Sequence, residues 1–166
     1  MKPSICIRHF PIFVGAAALF ASAGGAVHAA DSATQDVDIT VQSVNEISVG
    51  TAVTLNVNSA TAGVNPTGLV GSTYSITTNS TASKKITAQL AGALSGGLAL
   101  SVNLQAPSTG TSAGTTLLST SPVDVVNSIE AVTASGLTIS YSATATVAVA
   151  PNSYVAEVTY TIVNDS

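Results

Sequence analysis

The chain has 166 residues, of which 46% are hydrophobic and only 7% charged, with a formal net charge of −4 at pH 7. So few cations on a negative chain leave no electrostatic footprint for nucleic acid or an anionic membrane surface, and neither is expected as a partner. The single Cys excludes a disulfide framework, so stability has to come from packing.

Residues 1–29 read as a secretory signal peptide. Lys2 and Arg8 form a positive n-region, Phe10 to Ala23 an apolar h-region, and Val27-His28-Ala29 sets small residues before a cleavable bond. Cleavage is expected after Ala29, with the bond after Ala30 as the alternative. The apolar run is short and broken by Pro11 and Gly15, which argues against a retained span. This leader holds Cys6, His9, His28, Arg8, Met1, Phe10, Phe13 and Phe20, so residues 30–166 keep Tyr as their only aromatic type and Lys84 and Lys85 as their only cations. That remainder is expected to form a single domain.

In chain order, Asp36-Val37-Asp38-Ile39-Thr40-Val41-Gln42 alternates with period two and predicts a strand with Val37, Ile39 and Val41 on its apolar side. Glu46 to Val49 and Ala52 to Val57 predict further strand pieces broken at Gly50, and Asn58 to Gly71 a loop. Ser72 to Thr78 and Lys85 to Leu90 are predicted strands joined by the turn Asn79 to Ser83, with Lys84 and Lys85 as solvated charges that discourage edge aggregation. Leu98 to Leu104 is another alternating strand, Pro107 to Gly114 a flexible loop, and Thr115 to Thr120 a short strand.

At Ser121-Pro122-Val123-Asp124 the period changes: a helix-capping pattern precedes Val125, Ile129 and Val132 at helical spacing, with Gly136 as a stop. This predicts one short helix crossing between sheets. Leu137 to Val163 then alternates on both sides of Ala150-Pro151-Asn152-Ser153 and predicts a long β-hairpin with one buried and one Thr-rich face. The fold class is therefore all-β, an antiparallel immunoglobulin-like β-sandwich with one short crossing helix; an open barrel is the alternative.

The inventory disfavours catalysis. Residues 30–166 contain no His or Cys, and Ser80 and Ser83 near Lys84 lack an orienting group, so no catalytic residue is assigned. Asp36 and Asp38 share a strand face but sit in no calcium-binding pattern, and they read as solvent-facing charge; no metal and no cofactor is expected. Tyr74, Tyr141, Tyr154 and Tyr160 read as core tyrosines rather than a sugar-stacking surface. Asn79-Ser80-Thr81 and Asn164-Asp165-Ser166 match the glycan acceptor pattern. An amide bond between Lys84 or Lys85 and Asn164, assisted by Glu46 or Glu157, would be a covalent staple.

Three stretches carry a resemblance: Asp36 to Val41, Thr77-Thr78-Asn79 to Lys84-Lys85-Ile86, and Asn152-Ser153-Tyr154 to Ile162. With them the chain resembles the fimbrial major subunits of the alternate-chaperone, colonisation-factor type of Gram-negative bacteria. The resemblance implies an incomplete sandwich completed by the N-terminal segment of the next identical subunit. Here residues 30–44, and within them roughly Thr34 to Val44, would be the donor, with Val37, Ile39 and Val41 as plugs. It also implies export through the periplasm to the cell surface, helped by a periplasmic chaperone and an outer-membrane assembly protein. The expected function is thus a non-enzymatic structural subunit of a surface filament or extracellular matrix. The alternative is a monomeric extracellular binding module for carbohydrate or a host or surface ligand, in which the N-terminal strand would pair within its own chain.

Overall fold

The computed structural model of the protein describes residues 32–58 and 61–166; the expected leader, residues 1–29, lies outside them. The chain divides into two units, Met1–Ile39 and Thr40–Ser166. In the first unit, residues 32–39 form neither strand nor helix and all are exposed. Residues 40–42, at the start of the second unit, are also irregular and exposed, so the strand predicted over Asp36 to Gln42 does not form within the single chain. Its alternation is real, but a strand exists only beside a partner.

The second unit consists of β1 (Asn45–Val49), β2 (Thr67–Thr78), β3 (Lys84–Leu90), β4 (Leu98–Leu104), β5 (Thr111–Ser112), β6 (Thr116–Leu117), β7 (Val123–Ile129), β8 (Val132–Ala145) and β9 (Val158–Asn164). They build two antiparallel sheets, one ordered β1-β2-β8-β4-β6 and the other β5-β7-β3-β9. The two-residue period in each long strand sends one set of side chains inward, and these meet in one core. Val102 and Ile139 from the first sheet and Ile86, Val125 and Ile129 from the second are fully buried there. Fully burying an aliphatic side chain contributes about 1.5–3 kcal/mol, so this shared layer is what holds the sheets together.

The predicted crossing helix is not present; the described residues contain no helix. The crossing is made instead by Glu130-Ala131, between β7 in one sheet and β8 in the other. Two register irregularities in the β3–β7 pairing explain why the sequence mimics a helix there. Each bulge adds a residue to β7, which turns a period of two into spacings of three and four. Val125 and Val126 are consequently both buried, and Ser128 takes a φ of 56°. The Asp165 carboxylate accepts the Ser128 backbone N–H at 2.8 Å and so holds that turn of the chain in place. β-branched Val is in any case a better strand former than helix former.

The predicted hairpin over Leu137 to Val163 is also corrected: β8 and β9 belong to different sheets, and Thr146 to Glu157 runs between them. Alternation identifies a strand but not the sheet it joins. Ala52 to Val57 forms no strand; it crosses over β2, where a Cβ on Gly68 would collide with the Asn56 carbonyl, and Leu55 and Val57 pack on the core. β5 lies inside the stretch predicted as a flexible loop, and β2 begins four residues earlier than Gly71, inside the other.

Tyr74 of β2 is 2% exposed and donates its hydroxyl to the Gln105 carbonyl at 2.6 Å. Burial pushes its phenol up from 10.0 to about 12. The folded state therefore holds the proton more tightly than the unfolded chain, and this contribution is complete below pH 10 and lost as pH rises through about 12. Thermal melting from neutral to alkaline pH should show stability falling over that interval. Tyr74→Phe should cost about 1 kcal/mol at neutral pH, where the hydrogen bond is lost, yet show a shallower alkaline decline. Parallel pH curves for the two proteins would remove Tyr74 as a cause.

Candidate strand-accepting edge

One side of the sandwich is incompletely covered. Among the described residues β9 is an edge strand, paired only with β3, and β1 is the edge of the other sheet, paired only with β2. The Cα atoms of the two edges come within 8 Å of each other. Val158, Tyr160 and Ile162 of β9 and Ile47 of β1 pack on the core but are only partly buried. Val49 shares the inner face with its cross-strand partner Tyr74, yet is 50% exposed.

The backbone along these edges is poised for another strand. Ala91 N donates to Glu157 O and Asp165 N to Ser83 O, which fixes the phase of the β3–β9 ladder. Hydrogen-bonded pairs alternate in an antiparallel ladder, so Val158, Tyr160, Ile162 and Asn164 turn their N–H and C=O groups to the open edge. By the same reasoning, from Asn79 N to Val44 O and Gly50 N to Thr73 O, the free groups of β1 belong to Asn45, Ile47 and Val49. Tyr160 and Tyr141 join the two sheets behind this edge through a 2.8 Å hydroxyl–hydroxyl bond. Burial, with the Tyr141 hydroxyl beside it, pushes the Tyr160 phenol far up, so the Tyr160 hydroxyl keeps its proton as the donor of this bond.

Asn79 organises the start of the second unit. Its side-chain carbonyl accepts Val44 N–H at 2.8 Å, its amide donates to Gln42 O at 2.7 Å, and its backbone N–H donates to Val44 O at 3.2 Å. Together these act as extra rungs beyond the Asn45–Thr78 pair that ends the β1–β2 ladder. The plug candidates Val37, Ile39 and Val41 are 72%, 82% and 79% exposed. They are thus three alternate apolar side chains left in water within a chain whose core seals comparable residues completely.

The other sequence candidates fall elsewhere. Asp36 and Asp38 are exposed, and no group of three or more His, Cys, Asp or Glu gathers among the described residues. Ser80 donates to Ala82 O at 2.9 Å and Ser83 approaches Asp165 at 3.4 Å, while the Lys84 amine donates to Asn164 Oδ1 at 2.5 Å; no Ser–Lys pair forms. Lys85 pairs instead with Asp124 at 3.1 Å, so of the two lysines it is Lys84 that meets Asn164. Both candidate glycan-acceptor amides are engaged in these bonds. Tyr74 is a core residue, Tyr141 and Tyr160 pack on the core partly buried, and Tyr154 is 39% exposed with its hydroxyl on Ala150 O. A shallow cavity of about 320 Å³ lies at the β4–β6 end, lined by Leu90, Leu94, Leu98, Leu117 and the Gly96-Gly97 backbone among others, with no charged or aromatic side chain. No helix among the described residues is long and apolar enough to cross a membrane.

No protein-family model, no curated protein and no solved structure matches the chain.

Asn79→Ala should release residues 42–44 while leaving the core intact. A side chain to backbone hydrogen bond contributes about 0.5–1.5 kcal/mol, so amide exchange at Val44 should quicken about tenfold. Exchange at Ile139 should not change. Unaltered exchange at Val44 would show that the clamp does not constrain the chain in solution.

Proposed function

We propose that the protein is a non-enzymatic structural subunit that polymerises by donating residues 34–44 of one copy to the β9 edge of the next. The observation that carries this reading is the coincidence of two unsatisfied features in one chain. Val158, Tyr160, Ile162 and Val49 line an inner face that the chain itself leaves partly uncovered. Val37, Ile39 and Val41 present the complementary set of alternate apolar side chains to solvent. Strand addition satisfies both at once, because the backbone ladder supplies affinity and the pockets between the sheets take every second side chain.

The strand order supports the same reading. Taken in chain order, β1-β2-β8-β4 and β3-β9 follow an immunoglobulin-like plan of A-B-E-D and C-F, with β5, β6 and β7 added between D and E. In that plan a seventh strand, G, pairs with F; among the described residues nothing pairs with the outer edge of β9. An identical subunit is the partner this reading requires. A surface filament exported through the periplasm, with a chaperone to cover the edge before assembly and an outer-membrane assembly protein, is the biological setting that follows from it. A carbohydrate-binding module has less support, since the cavity has neither an aromatic platform nor a charged group to orient a sugar.

Residues 30–166 should form filaments visible by electron microscopy. Ile39→Asp should abolish them by placing a carboxylate in the apolar groove, and a peptide of residues 34–44 added in trans should then raise the melting temperature of that variant without polymerising it. Wild-type chains that remain monomeric, together with an Ile39→Asp variant indifferent to the peptide, would overturn the reading.

A further inference from the structure

We infer that the apolar segment Thr146–Glu157, between β8 and β9, is the surface on which the body of the donating copy docks, so that subunits touch end to end as well as through the donated strand. The inference rests on the strand-donation reading and adds to it a second contact surface, with a second copy of this chain as its occupant.

The N-terminal segment leaves the body beside Asn79, in the β2–β3 turn, at the end where β9 finishes: Lys84 pairs with Asn164, and Asp165 N donates to Ser83 O. Thr146–Glu157 lies at the opposite end. Leu90 pairs with Val158 there, Ala91 N donates to Glu157 O, and Thr146 N donates to Gly97 O just before β4.

A strand added antiparallel to β9, in the sense of every other pairing in both sheets, would have its C-terminal end at Val158. The donor chain would emerge beside Thr146–Glu157. Only Gln42 and Ser43 separate Val41, the last plug, from Val44, which Asn79 clamps to the donor body. Three residue steps of extended chain span about 10 Å, close to the spacing of packed sheets. The donor body therefore cannot stand clear of the acceptor; its exit end must rest on whatever occupies that end of the acceptor.

What occupies it is suited to burial. Val147 is 96% exposed and Val155 93%, the two most exposed large apolar side chains among the described residues, and Glu157 is the only charged residue of the segment. Two fully solvated valines so close in one short segment are costly in a free monomer and useful in a contact.

Hydrogen exchange separates the two levels of the proposal. Assembled residues 30–166 are compared with the Ile39→Asp variant complemented by the 34–44 peptide, which has a filled edge but no neighbouring body. The amides of Tyr160 and Ile162 should be slow in both, whereas those of Val147 to Ala156 should be at least tenfold slower only in the assembled chain. Equal exchange of Val147 to Ala156 in the two samples would overturn the docking surface while leaving strand donation standing. Fast exchange at Tyr160 and Ile162 in both would overturn strand donation and the docking surface with it. As a second measurement, the pair Val147→Lys and Val155→Lys should leave peptide binding in the Ile39→Asp background unchanged and make filaments dissociate at least tenfold faster; filaments of unaltered lifetime would count against the surface.

Discussion

The rest of the structure depends on one asymmetry of burial. Away from the β1–β9 side the two sheets close over each other completely, and Ile86, Val102, Leu104 and Ile139 lose all contact with water. On that side the inward positions of the edge strands are the same residue types in the same alternation, but they lack a neighbour to finish the layer. An edge strand also presents free N–H and C=O groups, and natural sheets usually blunt such edges with charge, proline or a bulge. β9 carries none of these between Val158 and Val163, and its pairing with β3 runs without a register shift. Lys84, the cation nearest to it, is held by Asn164 at the end of the strand. The edge is therefore unprotected along most of its length, as an edge meant to be covered would be.

The segment before β1 has the opposite character. It is patterned as a strand, yet among the described residues positions 32–41 are exposed and belong to no strand, and residues 42 and 44 are held by one residue, Asn79. An asparagine amide has a donor and an acceptor in one plane, like a peptide group, and Asn79 uses both on the backbone of residues 42 and 44. The β1–β2 ladder is thus extended past its last residue pair by the backbone and side chain of Asn79, which fix where residues 42–44 leave the sheet. A segment tethered so close to Val37, Ile39 and Val41 would couple strand insertion to body position.

Much of this was legible in the sequence, to a degree set by what each signal encodes. β4 is read from Leu98 to Leu104 with the bounds it has in the structure, because its alternation is strict and both flanks carry turn residues. β3 differs by one residue for the same reason. β7 was not legible: its two bulges generate spacings that periodicity assigns to a helix, and a bulge depends on the partner strand as much as on the strand itself. The partition of β8 and β9 between sheets was equally hidden, since alternation is blind to which neighbour a strand takes. At the candidate site, the plugs Val37, Ile39 and Val41 stood out by pattern, while the open flank of β9 needed the topology. In the sequence Asn79 reads as a turn residue, a glycan acceptor and part of one stretch of the resemblance; nothing local to it announces that its amide reaches back to Gln42 and Val44.

The spacing of the two edges also says how a strand could enter. Neighbouring strands lie about 4.8 Å apart, so a strand laddered to both β1 and β9 would need those edges about 9.6 Å apart. Where their Cα atoms come within 8 Å, that is not satisfied, and pairing to both would require the sheets to part. The Tyr141–Tyr160 bond, which spans the sheets behind the edge, opposes such parting. β9 offers seven consecutive residues against five on β1, and its pairing demands no movement of the opposite sheet. A donated strand would thus take its hydrogen bonds from β9, while β1 contributes Ile47 and Val49 as the far wall of the pockets. On that geometry, side chains rather than backbone would set how deeply a donated strand seats, and selectivity for this chain's own segment would lie in the sizes of Val37, Ile39 and Val41.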